Sequence, residues 1–161
     1  MRPLKWCYVL CFILTISGIL CAEEQKSLPQ TRRPVQNAVL ENVTAYNDLV
    51  YAAVGERKLV LDLYIPKNAE KPIPLVVWIH GGAWSAGSKQ PCSSLFLTRH
   101  GFAAASIGYR LVPEAIFPAQ FHDCKAAIRY LRANADEYGI DPNAIGVWGA
   151  SALHSAAGAN A

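Results

Sequence analysis

Cysteine is scarce in the part of the chain that could use it. Of five, Cys7, Cys11 and Cys21 fall within the first 22 residues, leaving Cys92 and Cys124 beyond them. Two such thiols exclude a disulfide-built scaffold, and two separate buried free thiols are the expected state. Charge is also sparse. Of the 15 Lys and Arg, Arg2 and Lys5 lie in that first stretch and none of the 12 Asp and Glu does, so beyond it the formal charge falls from +3 to +1. No basic cluster with interleaved aromatics remains, which removes nucleic acid from the expected partners. The one long apolar run, Trp6 to Leu20, is interrupted by Thr15, Ser17 and Gly18. It is shorter than the ~20 residues a spanning helix needs. Internal repeats and low-complexity tracts are absent as well.

The first 22 residues combine a charged start, an apolar centre and Cys21-Ala22 before Glu23-Glu24. This is the layout of a secretory signal peptide, so a secreted or periplasmic protein is expected, without a stable membrane span after cleavage. Anchoring through residues 6–20, or through a lipid on Cys21, is the alternative. Residues 23–38 are polar, carry Pro29 and Pro34 and show no apolar period, as a flexible lead-in would. Residues 39–161 are then expected to form one partial domain, of a length that can hold a core.

Within that domain, Leu49 to Val54 and Lys58 to Ile65 flank Gly55-Glu56-Arg57, which suggests a hairpin. In the second run Leu59, Leu61, Leu63 and Ile65 alternate with Val60, Asp62 and Tyr64, a period of two that predicts one face less buried than the other. Leu75 to Ile79 is a continuous apolar run, expected of a parallel strand covered on both faces. A short helix over Ser93 to Arg99 and a strand over Phe102 to Ile107 are expected next. Phe121, Cys124, Ile128, Leu131, Ala135 and Tyr138 recur at helical steps, with Gly139 as the stop. Asp141-Pro142-Asn143 should turn the chain into a further strand, Ala144 to Trp148. The fold class expected is therefore α/β, a mostly parallel sheet with an antiparallel N-terminal hairpin.

Two strings carry chemistry. Gly149-Ala150-Ser151-Ala152 places a serine where a strand ends and a helix should begin. A nucleophile elbow wants small residues two before and two after the serine; Gly149 meets the first demand and Leu153 breaks the second. Taken alone, a Gly-x-Ser string is common by chance and reads first as an ordinary N-cap serine. His80-Gly81-Gly82-Ala83-Trp84 follows the apolar strand, and its glycines can turn backbone N–H groups toward a substrate oxygen. Alternatively it is a glycine turn with a core tryptophan.

With Gly108-Tyr109-Arg110-Leu111, Pro113-Glu114, Phe117-Pro118-Ala119, Asp123 and Tyr138-Gly139-Ile140-Asp141-Pro142, these strings fall in one order from Val43 to Ala152. The chain resembles the α/β-hydrolase esterases of the hormone-sensitive-lipase-like and feruloyl-esterase-like (BD-FAE-like) branch, and its fold is expected to be the N-terminal part of theirs. The resemblance implies Ser151 as nucleophile, the N–H groups of Gly82, Ala83 and Ala152 as oxyanion hole with Gly81 shaping the loop, and His80 as loop support. Tyr109, Arg110 and Asp123 match structural positions. The implied reaction is hydrolysis of a small carboxylic ester, carbohydrate-linked esters included, through an acyl-enzyme with no metal or organic cofactor.

The pattern breaks after Ala152, where the family reads Ala-Gly-Gly-His and later supplies an acid and a histidine. Here the sequence reads Leu153-His154-Ser155 and ends at Ala161. His80, His100, His122 and His154 are poor substitutes for the missing base. The expectation is an esterase-like chain shortened after the elbow and inactive as it stands, its last strand uncovered and prone to aggregate. A non-catalytic secreted binding protein or a non-functional gene fragment are the alternatives.

Overall fold

The computed structural model describes residues 41–151. The leader and lead-in expected for residues 1–38 lie outside that range, as do Ala152, Leu153 and His154. Gly55, at φ 59°, opens a two-residue turn that pairs β1 (Val43–Val54) antiparallel to β2 (Arg57–Pro66). Left-handed backbone at a two-residue hairpin turn is where glycine is least strained. The hairpin is longer than the sequence predicted, and β1 shifts register between Tyr46 and Leu49 and again between Val50 and Ala52.

Strands β3 (Ile73–Ile79), β4 (Ala103–Ile107) and β5 (Ile140–Gly149) complete a five-stranded sheet in the order β1-β2-β4-β3-β5. β2 runs antiparallel to β4, whereas β3 is parallel to both β4 and β5. The expected switch from an antiparallel start to a parallel remainder is what the sheet shows. Every residue of β4 is buried, and its Ala-Ala-Ala-Ser-Ile sequence lets covering layers approach both faces closely.

One face is closed by helix. Leu59, Leu61 and Leu63 of β2, Leu75, Val77 and Ile79 of β3 and Ala105 and Ile107 of β4 pack on Cys124, Ala127 and Leu131 of α1 (Ala119–Ala133). The single helix expected through Tyr138 is in fact two. Asn134 leaves helical geometry, although its backbone N–H at 3.0 Å and its side-chain Nδ2 at 2.8 Å both donate to the Tyr130 carbonyl. α2 (Ala135–Tyr138) follows, and Gly139 at φ 70° ends it as predicted.

The opposite face carries Tyr64, Trp78 and Ala104 against Cys92 and Leu95. This corrects the reading of β2: Asp62 and Tyr64 are buried like Leu61 and Leu63 beside them. An irregular segment from Lys89 to Cys92, followed by a 3₁₀ helix (Leu95–His100) where an ordinary helix was expected, covers them. Cys92 and Cys124 are buried free thiols on opposite faces, as expected. Burial pushes the Cys124 thiol up to about 12.

Asp141-Pro142-Asn143 lies inside β5 and does not precede it. Ile140 pairs with Ile73 and Ile145 with Leu75, so the strand bulges around the proline, which has no N–H to give the ladder. The Asn143 N–H donates to Asp141 Oδ1 at 2.8 Å across the bulge. Among the described residues β5 pairs on one side only, and Val147 and Trp148 on it are exposed. No helix among those residues is long and apolar enough to cross a membrane.

Candidate active site

Because β3, β4 and β5 are parallel, their C-terminal ends share one edge of the sheet, where open α/β sheets place their ligands. His80 follows β3, Gly108 follows β4 and Ala150-Ser151 follows β5. Pairing of Ile79 with Gly149 brings the histidine–glycine string level with the serine, and the Ala150 N–H donates to the Ile79 carbonyl at 3.3 Å.

The two strings touch. A Cβ on Gly81 would stand 2.9 Å from the Ala150 carbonyl oxygen and 3.4 Å from the Ala150 Cβ, so only glycine lets the loop lie this close to the elbow. Beyond it the chain turns back sharply. Gly82, Ala83 and Trp84 have φ of 119°, 51° and 62°, and the Gly82 carbonyl accepts the N–H groups of Ser85 and Ala86 at 3.0 Å each. Left-handed backbone at Ala83 and Trp84 is strained, and such strain persists only where surrounding contacts hold it. Ser151 itself has φ 55° and an exposed side chain, as a serine lifted on a tight strand-to-helix turn would.

His80 is buried and committed to the loop. Its Nδ1 lies 2.9 Å from the Gly81 carbonyl, which can only accept, so Nδ1 carries the proton. Tyr109 stacks on the imidazole at 4.2 Å between ring centres, and its hydroxyl donates to the His80 carbonyl at 2.7 Å. Burial lowers the His80 pKa, against the hydrogen bond to Gly81, which raises it. Trp84 packs edge-on against the same tyrosine, and its carbonyl accepts the Val112 N–H at 2.9 Å. One residue on, Arg110 donates to Asp123 of α1 from its backbone N–H (3.1 Å), Nε (2.8 Å) and an Nη (2.7 Å). This bidentate pair fixes the segment after β4 to the helix beneath it.

The structure therefore brings together Ser151, Gly81, Gly82, Ala83 and His80, while Ala152 lies outside the described residues. His100, at the end of the 3₁₀ helix, and His122, on α1, are both exposed, and among the described residues no histidine hydrogen-bonds Ser151. Asp62, Lys89 and Gln90 escaped the sequence reading although they hold the far end of the glycine loop. A carboxylate in an otherwise apolar strand was the one signal available.

Comparison with known proteins agrees with this fold. The BD-FAE family matches residues 61–158. Esterase LipC of Mycobacterium tuberculosis is 38% identical over 97 residues, covering 58% of this chain and 24% of that protein. Carboxylesterase NlhH of the same organism is 38% identical over 101 residues, covering 61% and 32%. Among solved structures, a truncated form of a carbohydrate esterase from gut microbiota is 40% identical with a TM-score of 0.59, over 66% of this chain and 39% of that one. A bacterial heroin esterase is 32% identical, also at 0.59, over 73% and 41%. The chain thus spans about a quarter to a third of the length of these two curated relatives. On the family match and the shared mixed sheet, the chain belongs to the BD-FAE family of α/β-hydrolase esterases.

Proposed function

We propose that Ser151 is the nucleophile of a carboxylic-ester hydrolase and that the Gly81–Ala83 turn forms its oxyanion hole. The observation that carries this reading is the contact of Gly81 with Ala150, which sets the glycine turn against the left-handed serine. In this reading Ser151 Oγ bonds to the ester carbonyl carbon, its proton passes to a base and then to the departing alcohol oxygen, and the C–O bond to that alcohol breaks. Water then attacks the acyl-serine, returning the acid and the free hydroxyl. The N–H groups of Gly82 and Ala83, joined by that of Ala152, receive the negative oxygen at each stage. His80 keeps the turn in shape and is not assigned as the base, because its ring and carbonyl bond Gly81 and Tyr109 and none of its hydrogen bonds reaches Ser151.

The described residues supply nucleophile and oxyanion donors without a base. A neutral serine hydroxyl is a weak nucleophile, so the chain alone is proposed to be close to inactive. Small carboxylic esters are the proposed substrates, and the carbohydrate esterase among its structural relatives makes sugar-linked acyl groups candidates. Export through residues 1–22 is part of the same proposal.

Added imidazole, supplied as an external general base, provides the test. Hydrolysis of p-nitrophenyl acetate by the purified chain should rise with imidazole above the rate of the Ser151→Ala protein in the same buffer. Identical imidazole dependence in the two proteins would overturn the assignment.

A further inference from the structure

A buried carboxylate on the loop-covered face is unused by the chemistry above. Asp62, in the middle of β2, has no solvent exposure, and every hydrogen bond of its carboxylate leads to the segment that follows the glycine turn or to β1. Its Oδ1 accepts Lys89 Nζ at 2.6 Å and the Asp48 N–H at 2.9 Å, and its Oδ2 accepts Gln90 Nε2. Gln90 Nε2 also reaches the Tyr64 hydroxyl at 2.7 Å, and the Ser106 hydroxyl, opposite Asp62 in the sheet, donates to the Lys89 carbonyl. Lys89 is further paired with Asp48 Oδ1 at 3.1 Å. Desolvation alone would lower its pKa, but the bonds to Asp62 and Asp48 raise it overall, so the ammonium stays charged.

Two residues before Lys89 the chain passes against the site. A side chain on Gly87 would collide with His80 Nδ1 and with the Gly81 carbonyl. The 80–90 loop is therefore held at one end by β3 and at the other by Asp62, and Gly87 transmits the second restraint to the His80–Gly81 segment facing Ala150. Gly82 and Ala83 are exposed, and the left-handed backbone at Ala83 is strained, so the turn keeps its shape only where the residues around it hold it.

We propose that Asp62 is a positioning residue for the oxyanion loop, acting through Lys89 and Gln90 to press Gly87 against His80 and Gly81. The proposal rests on the esterase reading above for its catalytic consequence and on the hydrogen-bond network for the restraint itself.

The full chain carrying Asp62→Asn keeps the shape and loses the charge that holds Lys89. In hydrogen-exchange mass spectrometry, peptides over residues 80–90 should exchange about ten-fold faster, with those of β4 and α1 unchanged. The imidazole-dependent, Ser151-dependent hydrolysis of p-nitrophenyl acetate should fall on the order of ten- to a hundred-fold per folded molecule, as misplaced catalytic groups do, with KM unchanged. Gln90→Ala, on an exposed residue, provides a gentler break if Asp62→Asn folds poorly. Lys89→Arg should retain the rate that Lys89→Met loses, and Leu131→Val, a core change in α1, should lower the melting temperature without altering turnover per folded molecule. Unchanged exchange over residues 80–90 in both Asp62→Asn and Gln90→Ala would overturn the restraint. Faster exchange with undiminished Ser151-dependent turnover would overturn the positioning role. A wild-type rate no greater than that of Ser151→Ala would instead sink the esterase reading and the catalytic half of this inference with it, leaving exchange to decide the restraint.

Discussion

On one side of the sheet Leu61, Leu63, Val77 and Ile107 form one apolar cluster with Ala127 and Leu131 of α1. On the other side Asp62, Tyr64 and Ser106 reach up to Lys89 and Gln90, and only a small apolar cluster around Trp78 and Leu95 supports them. Apolar burial is strong but non-directional, so it tolerates small shifts of the covering helix. Charge-assisted hydrogen bonds at 2.6 to 2.9 Å fix position closely and add less net stability. The helix-covered face therefore carries most of the stability, and the loop-covered face carries the placement of the glycine turn beside Ser151.

The comparison breaks most readily where α1 meets the sheet edge. Asp123→Ala leaves the Arg110 guanidinium half-enclosed without its carboxylate, and unfolding in urea should show a loss of about 3–5 kcal/mol. Leu131→Ala, at a fully buried site, should cost about 2–5 kcal/mol in the same measurement while leaving hydrogen exchange over residues 80–90 as it was. Gly81→Ala should separate the two faces most clearly. Its Cβ meets the Ala150 backbone, so about 1–3 kcal/mol of stability should go while Ser151-dependent turnover disappears.

A subtler test concerns His80. Its folded pKa is lowered by burial, so below the ordinary value of 6.5 the unfolded chain binds the proton more readily than the folded one. Stability contributed by keeping the ring neutral is thus complete above pH 6.5 and is lost as pH falls through the folded pKa. Melting temperature should decline over that acid range, and His80→Asn, which retains a donor for Gly81 without titrating, should flatten the decline. The smallest effect is expected from Glu114→Gln. Its 2.8 Å pair with Arg57 joins side chains 41% and 60% exposed, and a change of about 0–1 kcal/mol is the range for such surface pairs.

Much of the frame was legible from residue patterns. Gly55 marked the hairpin, Leu75 to Ile79 the buried parallel strand and Gly139 the helix stop, because each signal is set by neighbours in the chain. The strings around His80 and Ser151 were likewise readable as a pair. What misled was information supplied by distant residues. Asp62 looked like the open face of an alternating strand because the segment that buries it lies 27 positions onward. The helix expected through Tyr138 kept its apolar stripe across Asn134, and nothing in the stripe revealed that the asparagine would leave helical geometry there.

Taken by itself, the order of residues determined the family, the sheet's change of direction and the two strings that could meet, since periodicity and turn chemistry are local properties of a chain. Only the tertiary structure decided that Gly81 lies against Ala150, that His80 spends its proton on the Gly81 carbonyl and that Asp62 anchors the loop. Those outcomes depend on strand register and on which segment covers which face, and long-range packing selects both.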